Sequence, residues 1–299
     1  MASLVKDLIE SGIHFGHKTN NWNPKMGPYI HGKKNKIHII DVKQTIKGLL
    51  LARKFLTKIV SGGKDVLFVG TKRQARPCIE KYCKEADQPY VIERWLGGTL
   101  TNFRTIRERL KRLEELEGLE ESGQLEKYSK KMESTLRREK SKILRNLEGI
   151  RNMTRIPGAL VIIDVKREHN AVREARKLGI PTVCLIDTDS DPDWADIPIP
   201  GNDDAMRSIE VVINSLMAAV SEGKTARPKQ PKAVTEPAAK AKQPASVKAA
   251  ALNQKAVPAQ PMKPHPLNKL PPLQQPNLLP QQMVPHPQLA KRLRSRLAE

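Results

Sequence analysis

Apolar positions along this chain follow two rhythms. Short continuous apolar runs recur at 36–42, 65–70, 89–93, 159–164, 181–187 and 197–200. Between them lie stretches whose apolar residues return every three or four positions, which is helical spacing. These are 43–60, 74–86, 168–178 and 203–220, the third closed by Gly179. Strands that are apolar on every residue are covered on both faces, and helices between parallel strands supply that cover. The pattern predicts an α/β fold with a doubly wound parallel sheet.

One region departs from this alternation. Residues 102–118 and 130–150 are long, highly charged helical stretches. The first spaces Phe103, Ile106, Leu110, Leu113 and Leu116 by three or four, and the second does the same with Met132, Leu136, Ile143, Leu147 and Ile150. Two narrow apolar seams joined near Gly123 describe an antiparallel coiled-coil helical hairpin, a 102–153 insertion between the third and fourth strands. Its alternating Arg, Lys and Glu suit a solvated, salt-laced surface as well as an RNA-gripping one.

Composition changes the picture at Gly223. Residues 224–299 hold 14 Pro and 14 Lys+Arg against two acids. Such a segment has little to bury, and its prolines oppose regular structure, so it is expected to be a disordered tail after a folded domain of residues 1–223. The whole chain carries 53 Lys+Arg against 32 Asp+Glu, a net charge of +21. That excess suits a polyanionic partner. No apolar run approaches the roughly 20 residues that span a bilayer, and the N-terminus lacks a signal-like core, which points away from membranes and towards the cytoplasm. Cys78, Cys83 and Cys184 form no CxxC pair, so neither a disulfide framework nor a cysteine zinc site is expected.

The densest chemistry lies near the start, ahead of the first expected strand, and reads as irregular surface chain. His14, Lys18, Asn20, Trp22, Asn23, Lys25, Lys33, Lys34 and Lys36 interleave cations, amides and an aromatic ring. Lysines pair with phosphates, amides reach bases and sugars, and rings stack on unpaired bases. A second candidate is Lys72 and Arg73, where an expected strand ends in Gly70 and a helix begins; free N–H groups there favour phosphate. The nucleotide-binding patterns GxxxxGK[ST] and GxGxxG are absent. A third candidate is the Gly97–Gly98 loop, with Arg94, Trp95, Thr99, Asn102 and Arg104; a tight turn into the hairpin, with Trp95 in the core, fits it equally well. Acids cluster at Asp187, Asp189, Asp191, Asp193, Asp203 and Asp204. Turn formation and helix capping explain them more simply than a metal.

These motifs in order resemble those of the bacterial-type small-subunit ribosomal protein S2 family. They are Ile13-His-Phe-Gly-His-Lys-Thr19, Trp22-Asn-Pro-Lys-Met26, Lys36-Ile-His-Ile-Ile-Asp41, Leu67-Phe-Val-Gly-Thr-Lys-Arg73, Arg94-Trp-Leu-Gly-Gly-Thr-Leu-Thr-Asn102, Pro181-Thr-Val183, Asp187-Thr-Asp-Ser-Asp-Pro-Asp193 and Ile199-Pro-Gly-Asn-Asp-Asp-Ala205. The resemblance spans about residues 1–223. It implies a flavodoxin-like sheet with a protruding coiled coil. It implies a structural, non-enzymatic role between head and body of the small ribosomal subunit, on small-subunit rRNA and neighbouring proteins. A large OB-repeat protein that recruits messenger RNA is a further implied partner. It also implies a zinc (Zn2+) pocket using His17, Asp187 and Asp203; on the residues alone, carboxylates with His14 or His17 could hold a metal, and an oxygen-rich set would also accept magnesium. The tail departs from the family's usual short ending. The competing readings are an enzyme on a nucleotide-binding-like fold, disfavoured by the missing phosphate loop and nucleophile–base set, and an RNA-binding scaffold outside the ribosome.

Overall fold

The computed structural model describes residues 2–227. Five strands form a fully parallel sheet: β4 (Val66–Val69), β5 (Tyr90–Val91), β6 (Ala159–Ile163), β7 (Thr182–Ile186) and β8 (Ile197–Pro200). Their spatial order is β5-β4-β6-β7-β8, so strand order reverses between β4 and β6. That is the flavodoxin-type 2-1-3-4-5 order, and the reversal opens a crevice at the strands' C-terminal ends.

The continuous apolar runs are explained by alternation across the sheet. Phe68, Val161, Ile163, Val183 and Leu185 face one core with α2 (Val42–Ser61), α3 (Arg76–Glu85) and α7 (Met206–Thr225). Their neighbours Leu67, Val69, Leu160, Ile162, Cys184 and Ile186 face the other. That second core is filled by α6 (His169–Leu178) and by the roots of α4 (Phe103–Glu121) and α5 (Lys130–Leu147). Cys184 sits wholly inside, and burial pushes its thiol up to about 12. Gly179 ends α6 in the left-handed conformation expected of a C-terminal glycine.

α4 and α5 lie side by side. Leu116, Leu125 and Leu136 form a small separate core between them, and Arg112 reaches Glu139 at 3.5 Å. Arg151, beyond α5, returns to Glu117 at 2.6 Å. Both helices start within a residue of the sequence expectation, and 148–150 continue as a 3-10 turn.

Three expectations need correction. The N-terminal segment is not irregular. It holds α1 (Ala2–Glu10), β1 (Phe15–Lys18), a 3-10 turn at Pro24–Tyr29, and β2 (Ile30–Lys34). The first expected strand, now β3 (Ile37–Ile40), leaves the parallel sheet. It lies between β1 and β2 in a small antiparallel sheet ordered β1-β3-β2. The last helix starts at Met206 rather than Asp203, because the Asn202 carboxamide accepts from the N–H groups of Asp204 and Ala205 and holds a turn there. It also passes Gly223: Lys224 donates from Nζ to the Asp87 carbonyl at 3.1 Å. The expected tail otherwise lies outside the described residues.

Candidate nucleic-acid interface

The β2–β3 connection is built from two residues only. Asn35 (φ 50°) and Lys36 (φ 60°) both adopt the left-handed conformation, which makes a type I′ hairpin turn. Lys36 therefore lies in the turn, not in a strand. β1 and β2 pair with β3 from opposite sides, and both registers place a lysine opposite Ile37: Lys18 across one ladder, Lys34 across the other. Lys33 pairs opposite His38, and the Thr19 N–H donates to the Lys36 carbonyl at 2.9 Å. Adjacent strands are about 4.8 Å apart, so Lys18, Lys33, Lys34 and Lys36 gather at one tip. All four are exposed, and none has an ion pair among the described residues. Asn20 is exposed beside them.

Behind the tip, Trp22 is 40% exposed and its ring lies 5.0 Å from that of His38. His38 is buried, with both ring nitrogens unpartnered. Sequence reasoning missed it, since a histidine inside an apolar strand carries no local signal. The His14 ring lies 4.1 Å from that of Phe15, tilted by 39°, and burial lowers its imidazole.

The other basic candidates are placed differently. Lys25 is engaged by Asp191 at 2.9 Å and by Asp193, and the Asn23 side chain accepts from the Lys25 N–H. Lys72 is enclosed by acids: 2.6 Å from Asp203 Oδ1, 2.7 Å from Asp204 Oδ1 and 3.8 Å from Asp164 Oδ2. These carboxylates outweigh its burial and raise its ammonium. Its charge is spent inside the protein, at the crevice where strand order reverses. Asp164 itself takes φ +68°, an uncommon conformation for a residue with a side chain. Arg73 and Arg94 are exposed and unpaired among the described residues, whereas Arg104 lies 3.3 Å from Glu108.

Trp95 and Thr99 are buried. The Trp95 indole donates to Glu174 Oε1 at 3.1 Å, and Thr99 donates to the Leu96 carbonyl. Glu174 also accepts from the N–H groups of Gly98, Leu100 and Thr101. The glycine loop is therefore latched to α6, with Trp95 as its internal pin rather than a free stacking face. Asn102 is exposed, and its Oδ1 accepts from Thr105.

The zinc set is partly assembled. Gly16 lets β1 lie against Asp187–Thr188: a Cβ there would come within 2.6 Å of the Thr188 methyl. This brings His17 Nδ1 to 3.0 Å from Asp187 Oδ2 and Nε2 to 3.6 Å from Asp204 Oδ2. Asp187 raises the imidazole to about 9 against the opposing effect of burial. Asp203 is buried, which pushes its carboxyl up to about 7. One Asp203 oxygen takes Lys72, while the other, like His17 Nδ1, is buried without a well-formed hydrogen bond. Among the described residues no three His, Cys, Asp or Glu side chains are grouped to hold a metal ion. Two cations, Lys72 and protonated His17, already face these acids. Asp203 does not cap α7, the alternative role expected of it.

Comparison with known proteins decides the family. The model for ribosomal protein S2 matches residues 8–223. This chain belongs to the ribosomal protein S2 family. The small ribosomal subunit protein uS2 of Rhodopirellula baltica is 58% identical to it over 221 residues, covering 74% of this chain and 85% of that protein. That of Picosynechococcus sp. is 50% identical over 224 residues, covering 75% and 88%. The uS2c protein of Guillardia theta is 51% identical over 223 residues, covering 75% and 95%. The S2 family match ends where the Pro-rich tail begins.

Proposed function

We propose that this S2-family chain is a structural constituent of the small ribosomal subunit, not an enzyme, and that it binds small-subunit rRNA through the β2–β3 hairpin tip. Its named relatives are small-subunit proteins, which supports the ribosomal assignment. The observation that carries the RNA contact is the cluster of Lys18, Lys33, Lys34 and Lys36 around the two-residue β2–β3 turn, with no carboxylate paired to it among the described residues. Arg73, Arg94 and Asn20 extend the basic and polar surface. We place the protein between head and body of a bacterial cytoplasmic subunit, beside neighbouring ribosomal proteins, and include docking of the OB-repeat, messenger-recruiting protein. The paired α4 and α5 are read as the family's inserted antiparallel coiled coil.

The test is filter binding of the full chain to small-subunit rRNA across a salt series. Each neutralised phosphate adds about −0.7 to −0.9 to the log–log slope. Replacing Lys33, Lys34 and Lys36 together by Ala should weaken binding and flatten the slope by about two to three units. An unchanged slope would remove the hairpin from the interface.

Zinc belongs to the proposal through His17, Asp187 and Asp203. Held there, it would supply positive charge that pins β1 to the sheet edge. The unpartnered, buried Asp203 Oδ2 and the approach of His17 Nδ1 to Asp187 support this set, and the presence of Lys72 opposes it. Zinc content is expected to fall in His17→Ala; equal, negligible zinc in both proteins would leave Lys72 as the resident cation.

A further inference from the structure

A cavity of about 290 Å3 lies beyond the C-terminal ends of β6 and β7, next to the sheet's crevice. Trp194, Asn23, Lys166, His169 and Arg173 line it, together with Asp189 and Asp191. Its volume is at the small end for a ligand pocket and far too small for a duplex. The two acids are already neutralised: Lys166 Nζ donates to Asp189 at 2.8 Å, and Lys25 Nζ donates to Asp191 at 2.9 Å. Arg173 and His169 are exposed, and among the described residues their side chains have no ion pair or hydrogen bond. The pocket therefore presents an unspent guanidinium and an unspent imidazole.

Its aromatic wall is half-buried. Trp194 stands between two cavities. In the second, which it shares with Arg176, the Arg176 guanidinium lies 4.5 Å from the ring centroid. The half-buried indole thus packs on the second core and carries a guanidinium, while part of it still lines the basic cavity. The part of a guanidinium-backed ring that lines a cavity offers surface for a base to stack on. Asn23 completes the wall. Its Oδ1 is used by the Lys25 N–H, while its amide NH2 has no partner among the described residues and can donate to an acceptor on a base edge.

We propose that this cavity receives one unpaired nucleotide of RNA, its base on Trp194 and its phosphate between Arg173 and His169. The inference rests on the RNA-binding reading above and adds a second contact of a different kind. The hairpin tip offers mainly charge, whereas this pocket selects single-stranded RNA with an extruded base.

The test uses the full chain and small-subunit rRNA. Trp194→Ala should weaken binding by roughly 5- to 150-fold, the range of one lost base stack. It should leave the salt slope intact, and Trp194→Phe should restore most of the affinity. Arg173→Gln should flatten the slope by about 0.7, one single-strand phosphate. Rescue by Phe, with a thermal melt of each variant, separates stacking from misfolding. Photocrosslinking with 4-thiouridine-substituted rRNA should place an adduct on Trp194 or His169. Equal binding by wild type and Trp194→Ala overturns the pocket while leaving the hairpin reading intact. Failure of the wild type to bind rRNA overturns both. Saturation of the cavity by UMP or AMP as tightly as by RNA assigns it to free nucleotides and overturns the RNA contact. A crosslink from these residues to a protein in assembled subunits does the same.

Discussion

Glu174 shows how one side chain can fix a loop that looks, in sequence, like a contact surface. Its two carboxylate oxygens accept from the Trp95 indole, from three backbone N–H groups and from the Thr101 hydroxyl. Glu174→Gln turns one acceptor into a donor facing donors. The expected cost is about 1–3 kcal/mol, the penalty for leaving such groups unsatisfied, read from urea denaturation. The cost should depend on pH. Burial alone would raise this carboxyl, but the N–H donors outweigh it and hold it below its ordinary value. A depressed carboxylate contributes stability that is complete above the unfolded-state value and is lost as pH falls through the folded one. The gap between wild type and Glu174→Gln should thus be constant at neutral pH and close on acidification. A gap that widens in acid would refute the latch. None of this was legible locally: Trp95 sits among glycines and polar residues, and its partner is 79 positions away. The same holds for Lys72, whose basic motif suggested phosphate until Asp164, Asp203 and Asp204 were brought around it.

Elements were legible where their pattern is set by burial on both faces. β4, β6 and β7 are apolar at nearly every position, because alternate residues serve two cores, and the sequence shows them as unbroken runs; the edge strand β8 turns Ile197 and Ile199 to the first core. β1 and β2, reading Phe-Gly-His-Lys and Ile-His-Gly-Lys-Lys, carry no such run, since their sheet is small and largely wet. The β2–β3 turn also hides itself, with Lys where a type I′ turn favours Gly. That choice separates conformation from charge. Lys36 at φ 60° bears a Cβ strain that glycine would not. Lys36→Gly creates the favoured Asn-Gly turn and should raise unfolding stability by about 0.5–1 kcal/mol. It should also weaken rRNA binding and flatten its salt slope by about 0.7–0.9. A variant both more stable and equally tight would mean that the lysine serves no phosphate.

At the scale of the whole molecule, the C-terminal edge of the sheet gathers the loops after every parallel strand, as doubly wound folds do. Acids, internal cations and the Trp194 cavity all collect there. The net charge is distributed otherwise. Residues 228–299 hold 12 Lys+Arg against two acids and no aromatic residue. A composition so poor in aromatic and β-branched residues has little to add to a domain whose three hydrophobic clusters are built from the described residues. Truncation after Arg227 keeps α7 and the Lys224 contacts with the Ala86 and Asp87 carbonyls. Its melting temperature should match that of the full chain within about 1–2 °C, since a 1 kcal/mol loss in a domain of this size shifts the midpoint by about 2–4 °C. Cutting at Gly223 instead removes those contacts and should lower it. Association with rRNA should slow at low salt in the truncated protein, because ten net positive charges no longer widen electrostatic capture. The difference should vanish as salt shortens the screening length to a few ångströms near 1 M. Stopped-flow rates measured across that salt range decide the point: equal on-rates at every salt concentration would leave the tail no part in encounter.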